Sequence, residues 1–216
     1  MDRPTNPERP PGDSRSLAAS YFDEQYGRAA DGDPWSFRTS PYEATKYRAT
    51  LDHLPRPVYR SALEVGCSIG VFTALLADRT GRLLAVDLAG AAVAAARDRC
   101  RDHPHVRVEQ ADIRAGVPPG LFDLIVLAEV GYYWTPADFR AAFAGLVAAL
   151  GDGGQIVLVH WRAAVPDYPQ TGDEVHALAG ELADGLMLRH RDRLVEARYR
   201  LDLWERPGLN PGARTT

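Results

Sequence analysis

A short apolar segment at residues 61–65 runs straight into a glycine-bearing turn, and a helical pattern begins immediately after it. The turn contains Glu64 and carries its glycines at Gly66 and Gly70. In open parallel sheets, ligands bind beyond the carboxyl ends of the strands, where turns of this kind lie. Glycine lets the backbone turn tightly and approach a ligand closely. The turn therefore predicts an α/β fold with a ligand site at the end of its first strand.

The spacing within the turn discriminates between kinds of ligand. A dinucleotide fingerprint needs three glycines spaced G-x-G-x-x-G, whereas this chain has Ser68 at the middle position and reads E-x-G-x-x-x-G. A phosphate-binding loop would need Gly-Lys-Ser/Thr, which does not follow here. The acid at Glu64, two positions before Gly66, favours a cationic ligand such as S-adenosylmethionine, which carries an ammonium and a sulfonium. A purely structural turn would explain the glycines but not the acid.

Strand-like and helix-like segments alternate along the rest of the chain. Further strands are expected at 82–88, 106–113, 122–130 and 155–161, and helices at 71–79, 89–101, 136–154 and 173–183. This alternation predicts parallel βαβ units with right-handed crossovers. Residues 186–194 and 196–205 alternate apolar with charged residues, which suits an antiparallel pair at the sheet edge. The predicted fold is Rossmann-like α/β, with five α/β units and a mostly parallel seven-stranded sheet that has an antiparallel C-terminal edge.

Length and composition predict one domain with polar ends. A chain of 216 residues suits a single core, which we place at residues 17–206, with a helical lid at 17–58. Residues 1–16 and 207–216 lack a periodic apolar pattern and are expected to be disordered.

Charge and apolar patterning limit the partners. A formal charge of −4 leaves no broad basic surface for nucleic acid. No signal-peptide core and no run of about 18 apolar residues occurs, so we expect a cytoplasmic protein without a membrane span. Cys67 and Cys100 offer neither a disulfide framework nor metal-ligand spacing, so they are expected to be reduced packing residues. We expect a small-molecule substrate, no metal, and either a monomer or a homodimer.

Two further acids follow strands where the same cofactor would need them. Asp87 ends the second strand, where a carboxylate can accept hydrogen bonds from vicinal ribose hydroxyls. Asp112 follows the third strand and could accept from an adenine amino group, while the Ile113 backbone N–H faces a ring nitrogen. Each acid alone could be a helix cap or a turn residue. In register with Glu64, they predict an S-adenosylmethionine site.

From about residue 33 to residue 154, the chain resembles the nodulation protein S family of class I methyltransferases. The matching stretches are Asp33-Pro34-Trp35, Ser40-Pro41-Tyr42-Glu43 with Tyr47, ALEVGCSIGVFT, LLAVDLAGAA, FDLIVLAEVGYYW and GDGGQIVLVH. Family members of this kind N-methylate a free amino group on a deacetylated glucosamine unit of a chito-oligosaccharide. The resemblance therefore implies methyl transfer to an amine, on an amino sugar or glycosylated metabolite.

The resemblance also implies that Trp35 and Tyr47 contact the cofactor. The complete predicted set of cofactor-binding residues is Trp35, Tyr47, Glu64, Gly66, Cys67, Gly70, Asp87, Leu88, Asp112, Ile113 and Glu129.

Residues after the fourth and fifth strands are the candidates for chemistry. Glu129 could accept a hydrogen bond from an amine or act as a base, or it could only fix a loop. His160 ends the fifth strand, where an imidazole suits proton removal near neutrality, although a strand-end histidine is often structural. Tyr132 is the third catalytic candidate, because an aromatic face attracts a sulfonium or ammonium, although it could simply pack. The predicted substrate contacts are Tyr132, Tyr133, Trp161 and Tyr168.

Rival functions stay open at this point. An O-methyltransferase acting on a hydroxylated small molecule would need a stronger base or a metal. A catalytically silent protein that only binds the cofactor would keep the same turn and acids. A dinucleotide oxidoreductase is disfavoured by the missing middle glycine.

Overall fold

The computed structural model describes residues 15–208 of the chain. Within them the helices are α1 (Ala19–Arg28), α2 (Pro41–Asp52), α3 (Val71–Ala77), α4 (Gly90–Arg99), α5 (Pro136–Ala148) and α6 (Gly172–Ala183). The strands are β1 (Ala62–Val65), β2 (Leu83–Asp87), β3 (Val106–Gln110), β4 (Phe122–Ala128), β5 (Leu150–Trp161), β6 (Arg189–Val195) and β7 (Tyr199–Glu205).

All seven strands form one sheet in the order β3-β2-β1-β4-β5-β7-β6. Strands β1 to β5 run parallel, whereas β7 lies antiparallel to both β5 and β6. This arrangement confirms the predicted α/β fold with its antiparallel C-terminal edge. The strand order reverses between β1 and β4, so the fold places its ligand crevice beyond the carboxyl ends of these two strands.

Two local predictions were wrong. Among the five predicted α/β units, the one after β3 has no helix, since residues 111–121 cross to β4 as a turn and loop. That stretch contains Gly116, Pro118, Pro119 and Gly120, which disfavour a helix. The helix α5 also ends at Ala148 rather than near Gly151, because residues 150–154 join β5.

Hydrophobic cores cover both faces of the sheet. One is formed against α5 and α6, where Phe139, Phe143 and Val175 are fully buried with Trp204 of β7. The other lies against α3 and the segment after α2, and includes Leu54, Phe72 and Leu76. Because β4 and β5 are covered on both faces, their side chains are apolar in near-continuous runs.

The N-terminal segment docks two helices at the ligand end of the sheet. Helix α2 begins at Ser40, whose Oγ accepts a hydrogen bond from the Glu43 N–H at 3.3 Å, and Pro41 fills the first helical position. Helix α1 contacts α4 and places Tyr26 Oη 2.5 Å from Ser68 Oγ in the glycine turn. The segment 17–58, predicted to be a lid, thus contains two helices; α1 contributes Phe22 and Tyr26 to the ligand crevice, whereas α2 contributes no lining residue.

The predicted tails fall mainly outside the described residues. Of the segment 1–16, Ser16 is described, and its Oγ accepts from the Thr135 N–H at 2.7 Å and donates to the Asp138 carboxylate. Residues 207 and 208 begin the other tail. None of the helices within residues 15–208 has the length and apolar character needed to cross a membrane.

Candidate active site

A cleft opens at the carboxyl ends of β1 to β4. Its walls combine aromatic side chains with the glycine turn and the strand ends, and they include Phe22, Tyr26, Trp35, Phe37, Val65, Gly66, Ser68, Val86, Asp87, Leu88, Ala111, Asp112, Ile113, Ala128, Glu129, Val130, Tyr133 and Trp134. The charged side chains among these lining residues are three carboxylates, Asp87, Asp112 and Glu129. The cleft therefore suits a ligand with positive charge and an extended apolar or aromatic part.

The glycine turn needs both of its glycines. Gly66 and Gly70 have φ angles of +81° and +77°, which lie in the left-handed region. A Cβ on Gly66 would lie 2.1 Å from Val130 Cγ2, and one on Gly70 would lie 2.9 Å from the Cα of Ala96. Gly66 lines the cleft, whereas Gly70 lets α3 and α4 approach each other.

Asp87 joins the glycine turn to the start of α4. Its Oδ2 accepts from the Ser68 N–H at 2.8 Å, and its Oδ1 accepts from the Ala89 N–H at 2.9 Å. Burial raises the pKa of Asp87, although these backbone hydrogen bonds oppose the shift. A carboxylate has about four acceptor sites, so Asp87 keeps lone pairs for a ligand while it organises the turn.

Asp112 carries an arginine partner that the sequence did not indicate. Arg114 donates from Nε to Oδ1 at 2.8 Å and from its terminal nitrogen to Oδ2 at 2.7 Å. These hydrogen bonds lower the pKa of Asp112. Asp112 lines the cleft together with Leu88 and Ile113, which places the three predicted contacts side by side.

Glu64 lies one layer beneath the cleft. The residue is 2% exposed, and its Oε2 has no hydrogen-bond partner among the described residues. Burial raises the pKa of Glu64 from 4.5 to about 7, and the nearby charge of Asp87 adds to the shift. Its chain neighbours Val65 and Gly66 form the cleft wall, so a ligand cation there would lie near a buried acid that titrates around neutrality.

Trp35 provides an unpaired donor in the cleft wall. Its ring stacks with Phe37 at 5.6 Å and meets Tyr26 edge-on at 5.4 Å. The indole Nε1–H is buried without a hydrogen-bond partner in residues 15–208. Since a buried unpaired donor is costly, this N–H suits a hydrogen bond to a bound ligand.

Glu129 sits at the end of β4 in a left-handed conformation, with φ of +59°. Its Oε1 accepts from Lys46 Nζ at 2.5 Å, and its Oε2 accepts from the Tyr132 hydroxyl and from the Trp161 N–H at 3.1 Å. Lys46 is 1% exposed and also pairs with Glu43 at 2.7 Å. We call Glu43, Lys46 and Glu129 the buried ion triad; it links the lid helix α2 to the strand that lines the cleft.

Several predicted residues lie outside the cleft lining. Tyr47 packs on Phe72 at 5.2 Å. Cys67 and Cys100 are buried free thiols. Tyr132 is 1% exposed; its hydroxyl donates to Glu129, and its ring meets Tyr133 edge-on at 4.7 Å.

Trp161 and Tyr168 lie behind the cleft wall. Trp161 meets Tyr42 edge-on at 5.6 Å, and Tyr168 stacks on Tyr132 at 5.1 Å. Of the four predicted substrate contacts, only Tyr133 lines the cleft, because Trp161 and Tyr168 face other aromatic rings of the site.

His160 requires a correction. The residue is completely buried, and its Nε2 accepts a hydrogen bond from the Gly131 N–H at 3.0 Å. Its Nδ1 faces His176 Nε2 at 3.1 Å. The lone pair that a base would use is therefore occupied, and the ring does not line the cleft.

Four further residues of the predicted lid were not identified from the sequence, in contrast to Trp35 and Tyr47. Phe22, Tyr26 and Phe37 complete the aromatic wall, and Lys46 supplies the cation of the buried ion triad. The available signal was the spacing of Glu43 and Lys46, since residues three apart share a helix face.

The fold and the cleft together define a class of protein. A mostly parallel seven-stranded sheet in this order, with a glycine turn and strand-end carboxylates around one crevice, is that of the class I methyltransferases, which use S-adenosylmethionine as methyl donor. A profile of the nodulation protein S family matches residues 26–183, and the chain belongs to that family.

Individual relatives agree with this assignment. Nodulation protein S of Sinorhizobium fredii is 37% identical over 127 residues, covering 58% of this chain and 59% of the relative. That of Rhizobium tropici is 37% identical over 138 residues, covering 63% and 58%. The aligned region thus spans less than two thirds of these relatives.

Solved structures match over more of the chain. The N-methyltransferase of the same family from Bradyrhizobium japonicum WM9, in complex with S-adenosyl-L-homocysteine, is 26% identical with a TM-score of 0.77, covering 88% of this chain and 98% of that one. A putative methyltransferase from Pseudomonas syringae is 39% identical with a TM-score of 0.67, covering 76% and 99%.

Proposed function

We propose that this chain transfers a methyl group from S-adenosylmethionine to the amino group of a small molecule. The observation that carries the proposal is the charge of the cleft, whose lining residues include three carboxylates, with Glu129 fixed where β4 ends. Both the cofactor and a protonated amine are cations. The family relative with a solved structure is itself described as an N-methyltransferase.

The residues of the cleft fit the cofactor group by group. Asp87 would accept from the ribose hydroxyls, and Asp112 with Ile113 would hold the adenine ring. The glycine turn at Gly66 lets the amino-acid end approach the backbone, above the buried Glu64. The unpaired Trp35 N–H donates to an acceptor atom of the ligand.

The chemistry is a displacement in which position matters most. Bound S-adenosylmethionine supplies a methyl carbon on sulfur, whose C–S bond breaks as the amine lone pair forms the N–C bond. Glu129 accepts an N–H of the incoming amine and so orients the lone pair. Its charge also stabilises the methylated ammonium, which then releases a proton to solvent.

Glu129 is suited to this role because three neighbours hold its carboxylate in place. Lys46 Nζ, the Tyr132 hydroxyl and the Trp161 N–H all donate to it. Tyr133 and Phe22 meet edge-on at 4.9 Å and close the adjoining wall. Aromatic faces there attract an ammonium and exclude water.

For the acceptor we propose an amino sugar or a glycosylated amine. The family resemblance supports this class, and so does Tyr133, the tyrosine of the cluster Tyr132, Tyr133 and Tyr168 that lines the cleft. The Tyr168 and Tyr133 hydroxyls are 3.5 Å apart.

The proposal is tested by calorimetry followed by a product screen. We expect micromolar binding of S-adenosylhomocysteine, and no binding of NAD as control. With labelled cofactor, mass spectrometry should then detect methylated chitosan oligosaccharides carrying one free amine, and none when every amine is acetylated. Binding without turnover on any amine would support a silent binding protein, and absence of binding would overturn the cofactor assignment.

The same screen includes trans-aconitate, a carboxylate, as a test acceptor. Trans-aconitate 2-methyltransferase of Variovorax paradoxus is 30% identical over 131 residues, covering 59% of this chain and 49% of that relative. Glu129 is the carboxylate that we place beside the acceptor, and its charge would repel a polyanion there, so we expect no methylation of trans-aconitate by this chain.

Glu64 should couple cofactor binding to proton release. Because the cofactor is a cation, its affinity should rise as pH increases through about 7, where Glu64 ionises in the free protein. The stability of the free protein changes with pH in the opposite direction. The contribution of Glu64 to that stability is complete below pH 4.5 and is lost as the pH rises through about 7.

Titration calorimetry in two buffers with different heats of ionisation measures the released proton. The Glu64→Gln protein should release less than the wild type near pH 6.5 and should lose the rise in affinity. An identical proton count in both proteins would assign the release to another group.

A further inference from the structure

A line of buried side chains connects the antiparallel edge of the sheet to the turn that follows β4. Asp202 of β7, His176 of α6 and His160 of β5 are each at most 1% exposed. His176 Nδ1 lies 2.7 Å from Asp202 Oδ2, and His176 Nε2 lies 3.1 Å from His160 Nδ1. His160 Nε2 lies 3.0 Å from the backbone nitrogen of Gly131. We call these three side chains the Asp–His–His chain.

The Gly131 N–H, at one end of the Asp–His–His chain, determines the direction of every hydrogen bond in it. The Gly131 N–H can only donate, so His160 Nε2 accepts and its proton resides on Nδ1. That Nδ1–H donates to His176 Nε2, and the His176 Nδ1–H donates to Asp202. Both rings are therefore neutral Nδ1–H tautomers.

Asp202 is held as an anion at the far end. Burial alone would raise its pKa, but hydrogen bonds from His176, Arg193 and Arg200 bring it below the usual range. Arg193 and Arg200 donate from Nε at 2.7 and 2.6 Å, and His190 Nε2 lies 2.7 Å away. An ionised acceptor at this position selects the Nδ1–H form of His176.

The other end of the chain fixes the turn that carries Glu129. A Cβ on Gly131 would lie 2.7 Å from Val175 and 3.0 Å from His160 Nε2, so the backbone rests against these side chains. Glu129, two residues earlier, has its unusual positive φ, and Tyr132, one residue later, donates its hydroxyl to Glu129. The Gly131 hydrogen bond therefore lies between the backbone of Glu129 and Tyr132, whose hydroxyl donates to Glu129. Both determine where the Glu129 carboxylate lies.

We propose that Asp202, His176 and His160 are positioning residues, which hold Glu129 against the reacting amine by setting the tautomer that accepts from the Gly131 N–H. The inference rests on the proposed methyl transfer to an amine. None of the three side chains is among the lining residues of the cleft, so they act through the turn and not on the substrate.

A matched pair of variants tests the acceptor at Gly131. In His160→Gln, the side-chain amide can present an oxygen near the former Nε2 position; in His160→Asn, the shorter amide reaches only the former Nδ1 position. We expect His160→Asn to lower kcat by about tenfold to a hundredfold, and His160→Gln to recover most of that loss. Affinity for S-adenosylhomocysteine should change less than threefold in either protein, which also shows that both fold.

The tautomers are measured directly in the wild-type protein by long-range ¹H–¹⁵N correlation of histidine side chains. Two neutral Nδ1–H rings are expected for His160 and His176. An Nε2–H ring at His160 would overturn the proposal, and so would equal loss of kcat in the Asn and Gln variants.

The tautomer measurement does not depend on turnover. The proposed methyl transfer and the proposed positioning role can therefore be contradicted separately. A wild-type protein with the expected tautomers but no methylation of any amine would contradict the proposed function. Normal methylation by His160→Asn would contradict the positioning role alone.

Discussion

Replacing Lys46 with Met is expected to remove most turnover and to destabilise the protein strongly. The side chain is 1% exposed and lies between Glu43 and Glu129 at 2.7 and 2.5 Å. Removing one partner of a buried ion pair costs about 3–5 kcal/mol, because the remaining charge is left without compensation. In this triad two carboxylates would remain, so one would have to take up a proton or turn away.

The effect on the reaction follows from the same loss. Glu129 without Lys46 keeps the Tyr132 and Trp161 donors but loses its charged partner, so its carboxylate no longer points reliably at the amine. We expect kcat to fall at least about a hundredfold, and the melting temperature to fall by about 10 °C.

Methyl transfer assays and thermal unfolding measure both effects. Arg28→Gln is the matched control, since it removes a cation from the same lid at an exposed pair with Glu24. Its stability should change by less than about 0.5 kcal/mol. A Lys46→Met protein with wild-type kcat and melting temperature would show that the buried ion triad does not determine the position of the Glu129 carboxylate.

The second large effect is expected at Asp87. In Asp87→Ala, the Ser68 and Ala89 N–H groups lose an acceptor at 2.8 and 2.9 Å, and the proposed ribose contact is lost as well. Hydrogen bonds to a charged group contribute about 1.5–3 kcal/mol each. Affinity for S-adenosylhomocysteine should therefore fall at least about a hundredfold.

Calorimetric titration measures this loss, with Asp98→Asn as control. Asp98 lies on α4, the helix that follows Asp87, but its side chain is 77% exposed and, within residues 15–208, forms its ion pair with Arg101. The control should bind like the wild type. An Asp87→Ala protein that binds with unchanged affinity would remove Asp87 from the cofactor site.

The acids of the cleft could be located from the sequence because strand ends are a topological property. Asp87 and Asp112 each follow a strand, and parallel strands deliver their carboxyl ends to one edge of the sheet. The alternation of strands and helices was therefore enough to predict that these two acids lie at the same edge of the sheet. The connection before β4 was also recognisable as helix-free, because Gly116, Pro118, Pro119 and Gly120 disfavour a helix.

The lid and the fifth strand show why the rest was not predictable. Lys46 reaches Glu129 only because α2 docks across the sheet, and local spacing does not encode that docking. On β5, His160 and Trp161 point to opposite faces, as successive strand residues must. Both faces of β5 are covered, so hydrophobic pattern could not tell which of the two side chains faces α6.

The distance along the chain between Lys46 and Glu129, 83 positions, has a consequence for how the protein matures. The sheet and the glycine turn are made from residues after the lid, so a fragment starting near residue 59 would contain every strand yet leave Glu129 without its cation. During folding, the sheet and the glycine turn can therefore take shape before Glu129 gains its cation. The ion pair between Lys46 and Glu129 forms only when α2 docks, and the aromatic cleft wall is completed by the same N-terminal segment, so this docking is the step that turns a folded sheet into a working site.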